Sequence, residues 1–447
     1  MVSFHRWICS FMRISTPLRS AVLGLLLVLS SLGAPAWAGA TCRGLAATVT
    51  GTDNGETLSG TAGDDVIVAR GGDDVIDAKG GHDLICAGDG NDIVSGRAGS
   101  DRIFGGPGHD TLTGHAGEDI LVGNDGDDQL FGGDSGDTLT GGGDDDEIYG
   151  GEGTDFVRYA TSPSAVVVDL SALTATGEGT DFLSSIEGVF GSSKDDRLIG
   201  DQANNFFVAG AGNDTVIGAG GDDSINGEDG NDTADYSTSP RAVTADLASK
   251  TATGDGTDSF VSIETVIGSQ FADILRGSEA DDSLRGGTGN DRLSGRGGDD
   301  ALDGGTGTDT ADFSRSTAGV TVNLGNRTAS GEGADTLLAI ENTIGSARVD
   351  TLIGGGSVNT LRGNGGNDVL SGGGGTDTLE GGTGSDTLRG GDGGDVLRGG
   401  DHADKIYGNA GRDTLRGGDG NDTLSGGSES DLCRQDAGSG PKTSCER

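Results

Sequence analysis

Aliphatic residues recur at every ninth position along much of this chain, each two places after an acid. Ile67, Ile76, Ile85, Val94, Ile103, Leu112, Leu121, Leu130, Leu139, Ile148 and Val157 follow Asp65, Asp74, Asp83, Asp92, Asp101, Asp110, Asp119, Asp128, Asp137, Asp146 and Asp155 without a break. The series restarts three times. One block runs Asp196, Asn205, Asp214, Asp223 and Asp232, and the next Asp273, Asp282, Asp291, Asp300 and Asp309. The last runs Asp350, Asn359, Asp368, Asp377, Asp386, Asp395, Asp404, Asp413, Asp422 and Asp431. The unit reads G-G-x-G-x-D-x-Φ-x, with Φ aliphatic. Its first six residues suit a tight turn, because glycine takes positive φ and tolerates close backbone approach. Its last three suit a short strand, in which alternation sends Φ to one face and its neighbours to the other. Two units then make a coil of about eighteen residues, and coils stack at about 4.8 Å by strand pairing. Every Φ points inward and builds a thin aliphatic core.

Between blocks the interval from acid to acid is always 41 residues (Asp155 to Asp196, Asp232 to Asp273, Asp309 to Asp350). The interludes match one another at a shift of 77 residues: "YATSPSAVVVDL" starts at Tyr159, "YSTSPRAVTADL" at Tyr236 and "FSRSTAGVTVNL" at Phe313. The alternations Val166/Val168/Leu170, Val243/Ala245/Leu247 and Val320/Val322/Leu324 read as half-buried strands. The interludes are therefore expected to be wider β coils in the same rod. The division that follows is a cap at 39–60, repeat blocks at 61–158, 196–235, 273–312 and 350–431, interludes at 159–195, 236–272 and 313–349, and a C-terminal cap at 432–447.

Composition alone points elsewhere. A net charge of −43, 90 glycines and 4% aromatic residues are the marks of a disordered chain. A disordered tract has no reason to hold acids and aliphatics in fixed order, so the periodicity overrides that reading. The first forty residues carry Arg6, Arg13 and Arg19, no acid, an apolar run "AVLGLLLVLSSL" and then "APAWA". This predicts a secretory leader at 1–38, cut after Ala38, and hence a secreted, extracellular protein. No other apolar run is long enough to span a membrane. Cys9 leaves with the leader. Cys42, Cys86, Cys433 and Cys445 remain, and an even count in an exported chain favours disulfides. Three pairings are open, and proximity in sequence favours Cys42–Cys86 and Cys433–Cys445. The acidic balance disfavours nucleic acid and anionic lipid as partners.

Stacking explains the choice of acid. Successive turns on one edge differ by eighteen residues, so Asp65, Asp83, Asp101 and Asp119 share one edge and Asp74, Asp92, Asp110 and Asp128 the other. Neighbouring carboxylates at coil spacing repel by about 3–4 kcal/mol per pair at an effective dielectric near 20. A hard divalent cation removes this cost. Calcium takes six to eight oxygens from carboxylates and carbonyls alike, whereas magnesium keeps its waters, and zinc or copper prefer His or Cys. His82, His109, His115 and His402 read as scattered turn residues.

"GGPGHDTLTG" (105–114) and "GGDGNDTLSG" (417–426) resemble the RTX, or haemolysin-type, calcium-binding nonapeptide repeat. The resemblance implies an all-β, right-handed parallel β-roll with calcium held between turns. The family's ligand then falls on the eleven acids of the first block, on Asp214, Asp223, Asp232, Asp282, Asp291, Asp300 and Asp309, and on Asp368, Asp377, Asp386, Asp395, Asp404, Asp413 and Asp422. Turns ending at Asp196, Asp273 and Asp350 lack the glycine pattern, and Asn205 and Asn359 keep an oxygen but lose a charge. Counting gaps between same-edge turns gives roughly fifteen to twenty ions at most. The terminal "ATCRGLAATVTG" and "DLCRQDAGSGPKTSC" are similar to cysteine-clamped, RTX-only secreted proteins of actinobacterial type.

Other motifs weigh little. "GDSGD" at 133–137 lies in a grid turn without a supporting His, the "NDT" triplets read as turn and strand, and outward Thr ladders are too short for an ice face. The expected function is calcium binding coupled to folding after export, in a structural or adhesive protein with cell-wall or matrix polymer as a possible partner and no enzymatic domain. The rival reading is an exoenzyme with its site built in the interludes.

Overall fold

The computed structural model describes residues 40–437 and 440–446; the expected leader and Cys9 lie outside them. The described chain is all strand and turn, and no helix among these residues is long and apolar enough to cross a membrane. Short parallel strands stack in two ladders. In one, Val66–Gly71 pairs with Leu84–Asp89 and that strand with Arg102–Phe104, setting Ile67 opposite Ile85 and Ile85 opposite Ile103. In the other, Val75–Asp77, Ile93–Ala98 and Thr111–Ala116 set Ile76 opposite Val94 and Val94 opposite Leu112. Partners are thus eighteen residues apart, and each coil spends one nonapeptide on each ladder. The aliphatic residue of every unit from Ile67 to Leu424 lies between the ladders, at most 1% exposed. The fold is a parallel β-solenoid.

The turns between ladders are packed as closely as the strands. Gly106 and Gly108 adopt φ of 122° and 139°. A Cβ on either would come within 2.0 and 1.9 Å of the carbonyl oxygens of Gly88 and Gly90 in the preceding coil. Backbone conformation and coil spacing both require glycine there.

The interludes depart from wider coils. Val167–Asp169, Thr174–Thr176 and Thr180–Ser184 form an antiparallel meander inside one ladder, while Gly188–Phe190 continues the other in parallel. The interval of 41 residues exceeds one coil, and the surplus folds back on itself instead of widening the coil. The first and third meanders sit in one ladder and the second, Thr244–Asp246, Thr251–Thr253 and Thr257–Val261, in the other. The 77-residue unit contains an odd number of half-coils, so consecutive meanders change sides. The rod is closed by Cys42–Cys86 near its start and Cys433–Cys445 near its end, with Cα separations of 5.8 and 5.6 Å.

Candidate metal centre

The grid acids are not on exposed edges. They are buried, from 0 to 6% exposed. What holds them is the preceding coil. The Asp74 N–H donates to Asp92 Oδ1 at 2.8 Å, and the Asp92 N–H to Asp110 Oδ1 at 2.8 Å. The other edge runs likewise from Asp83 through Asp101 to Asp119. Asp92 therefore neighbours Asp74 and Asp110 and not Asp101, which is nearer in sequence. One oxygen of each carboxylate from Asp74 to Asp155, Asp214 to Asp232, Asp291 to Asp309 and Asp368 to Asp431 is committed to this column.

The second oxygen divides the turns into two classes, decided by the residue four places before the acid. In one class that residue takes a left-handed φ, as at Gly106 (122°), Arg97 (80°), His115 (76°) and Asn124 (87°). Its N–H turns away into the ladder: Gly88 N–H donates to the Gly105 carbonyl and Gly106 N–H to the Gly123 carbonyl. Oδ2 of the acid is then buried without a hydrogen-bond partner. This holds for every proposed ligand except Asp65 and Asp282, and it adds Asp431, which the sequence reading left out. In the second class the residue four places back keeps an ordinary φ, and its N–H donates into the carboxylate. Thr61 does so to Asp65, Ser192 to Asp196, Ser269 to Asp273, Ser278 to Asp282 and Ser346 to Asp350. Asp201 and Gly355 do the same to the amide oxygens of Asn205 and Asn359. These seven self-capped turns open the four blocks; the open turns follow them.

Burial raises most of these carboxyls, those of self-capped Asp273, Asp282 and Asp350 included. Burial pushes the carboxyl of Asp110 up to about 7, against the N–H of Asp92 that holds it down and with the charge of Asp92 adding to the rise. Burial likewise takes Asp128 to about 7 and Asp137, Asp146 and Asp223 to about 8. At self-capped Asp65 the Thr61 N–H outweighs burial and the carboxyl lies below its usual value. An ionised carboxylate in an open turn is a buried charge with half its acceptors unmet, which is costly unless a cation or proton completes it.

A hard cation fits this oxygen. A Cβ on Gly105 would sit 2.1 Å from Asp110 Oδ2 and 3.0 Å from the Gly123 carbonyl oxygen of the next coil. Carboxylate and backbone oxygens therefore converge on the seam between coils. No cluster of three or more His, Cys, Asp or Glu side chains exists among the described residues, so a donor set here relies on backbone oxygens as well. Such an all-oxygen set suits calcium and does not suit zinc or copper.

Several residues have other roles. Just outside the acids runs a second column of acceptors: the Asp64 carboxylate takes the His82 N–H, the His82 Nδ1 the Ser100 N–H, and the Asn91 side chain the His109 N–H. Asn213 belongs to this column, accepting from Asn231. Ser135 of "GDSGD" is a left-handed turn residue whose N–H donates to the Glu152 carbonyl. An open hollow of about 620 Å³ beside the first meander is lined by Leu170, Arg197, Asp201 and Thr238 among others, with no His or Cys.

No curated protein matches the chain. The family model described as the RTX calcium-binding nonapeptide repeat matches at 50–85, 87–121, 122–157, 189–216, 199–234, 262–285, 276–311, 344–379, 371–401, 380–415 and 398–433. The stretches it leaves out between blocks contain the meanders. With well over half of its residues matched and the repeats laid out as a parallel β-solenoid, the chain belongs to the family of RTX calcium-binding nonapeptide repeat proteins.

Proposed function

We propose that the open carboxylates, from Asp74 through Asp155, Asp214, Asp223 and Asp232, Asp291, Asp300 and Asp309, and Asp368 through Asp431 at each ninth position, hold calcium between successive coils of the same edge. The observation that carries this reading is the buried Oδ2 of each open turn, left without a partner beside converging carbonyls. Asp65 and Asp282, read from sequence as ligands, accept the N–H groups of Thr61 and Ser278 on Oδ2 and stand apart from the set. Ions that bind only the coiled form stabilise it by mass action, so folding is coupled to calcium. Extracellular modules often bind calcium with dissociation constants near about 10⁻⁴–10⁻³ M, which keeps the chain unfolded at cytosolic calcium and folds it after export. The apolar run at 21–32 supports export. A rod of repeats with disulfides at both ends supports a structural or adhesive role at the cell surface.

Circular dichroism on the mature chain tests the coupling. In EDTA at pH 7.5 the β signal is expected to be lost, and millimolar calcium restores it. A β signal that is the same in both conditions refutes folding on calcium.

A further inference from the structure

Each interlude contains a turn that copies the grid. Residues 177–181 read "GEGTD", 254–258 "GDGTD" and 331–335 "GEGAD". Each stacks on the last grid turn but one before the interlude: the N–H groups of Asp146, Asp223 and Asp300 donate to Oδ1 of Asp181, Asp258 and Asp335 at 3.2, 3.1 and 3.2 Å. The neighbouring N–H groups of Thr180, Thr257 and Ala334 donate to Asp145, Asp222 and Asp299, as in the outer acceptor column of the grid. The residues four places back, Gly177, Gly254 and Gly331, are left-handed at 137°, 144° and 134°, the mark of an open turn. All three acids are 2% exposed.

Only their second oxygens differ. The hydroxyl of Tyr159 donates to Asp181 Oδ2 at 2.7 Å, and that of Tyr236 to Asp258 Oδ2 at 2.7 Å. The third interlude has Phe313 in this place, 3% exposed, and a phenyl ring donates nothing. Asp335 Oδ2 has no hydrogen-bond partner among the described residues. It belongs to the turn stacked on Asp300, whose own Oδ2 is buried and unmet. A carboxylate left so needs a positive charge or a proton.

We propose that the third interlude holds a further divalent cation, of the calcium class, between the turns of Asp300 and Asp335, and that the hydroxyls of Tyr159 and Tyr236 take its place in the first two. A single oxygen atom in the aromatic side chain thus decides whether an interlude is a metal site. The proposal rests on reading the open grid turns as calcium sites, and its test separates the two.

Native mass spectrometry of the calcium-saturated mature chain counts bound ions as whole numbers. Phe313→Tyr is expected to bind one ion fewer than the parent, and Tyr159→Phe one more, with circular dichroism unchanged in both. If Phe313→Tyr fails to fold, the gain in Tyr159→Phe decides alone. Parent-like counts in the folded variants, with many ions still bound, overturn the proposal, assign a proton to Asp335 and leave the grid reading standing. A parent that binds no calcium overturns the grid reading and the proposal with it.

Discussion

Calcium-free protein, unfolded at pH 8, should regain its β signal on acidification to about pH 4 without any metal. The open turns dictate the sign. Burial raises Asp110 and Asp128 to about 7, and Asp137, Asp146 and Asp223 to about 8. A carboxyl raised in this way is tolerated by the fold only while protonated. Its contribution is complete below the unfolded value of about 3.9 and is lost as pH climbs through the folded value. For Asp128 alone that loss is roughly 4 kcal/mol, against a whole domain's net stability of about 5–15 kcal/mol. Several such sites ionising together cannot be sustained without a cation. With calcium present the dependence reverses, because protons compete for the oxygens that bind the ion. Circular dichroism from pH 8 to pH 4, with and without calcium, reads both curves. A calcium-free chain that stays unfolded throughout shows that carboxylate repulsion and burial are not what calcium relieves.

The second large effect separates the two classes of turn by one substitution. Asp128→Asn keeps an oxygen for the Asp110 N–H but replaces the unmet Oδ2 with an amide nitrogen. An ion held at about a hundred times its dissociation constant contributes about 2.7 kcal/mol, and Asp128 faces the seams on both sides of its coil. Shared among all the ions coupled to folding, two such losses should raise the calcium needed for half-folding by about twofold. Asp282→Asn should leave it unchanged. Its Oδ2 accepts from Ser278, and the matching places in the second and fourth blocks already carry Asn205 and Asn359. Equal shifts in the two variants, followed by calcium titration, contradict the division.

How far this was legible in the sequence depends on the length scale. The nine-residue period sets which strands pair, because a slip of one residue would turn every Φ outward. Ile67 opposite Ile85 and Asp92 beside Asp110 follow directly. The open and self-capped turns were legible only in part. They differ in one φ angle four places before the acid, and Arg97, His115 and Asn124 adopt the left-handed form without being glycine. Ser or Thr at that place marks five of the seven capped turns, but Asp201 and Gly355 give no such signal. Glycine two places before the acid does not mark the division: Asp431 follows Glu429 at that place and still has an open Oδ2. The meanders were missed because three-residue strands leave too short an alternation to show a reversal of direction. The "GEGTD" turns were missed because the interlude shifts them off the nine-residue frame.

Anomalous diffraction from crystals of the calcium-loaded protein tests the central claim most directly. Peaks should lie in the seams between coils, beside Oδ2 of acids eighteen residues apart such as Asp92 and Asp110, and be absent at Asp65, Asp196, Asp273 and Asp350. Peaks that join sequence neighbours such as Asp92 and Asp101, or that sit on the self-capped turns, would contradict it.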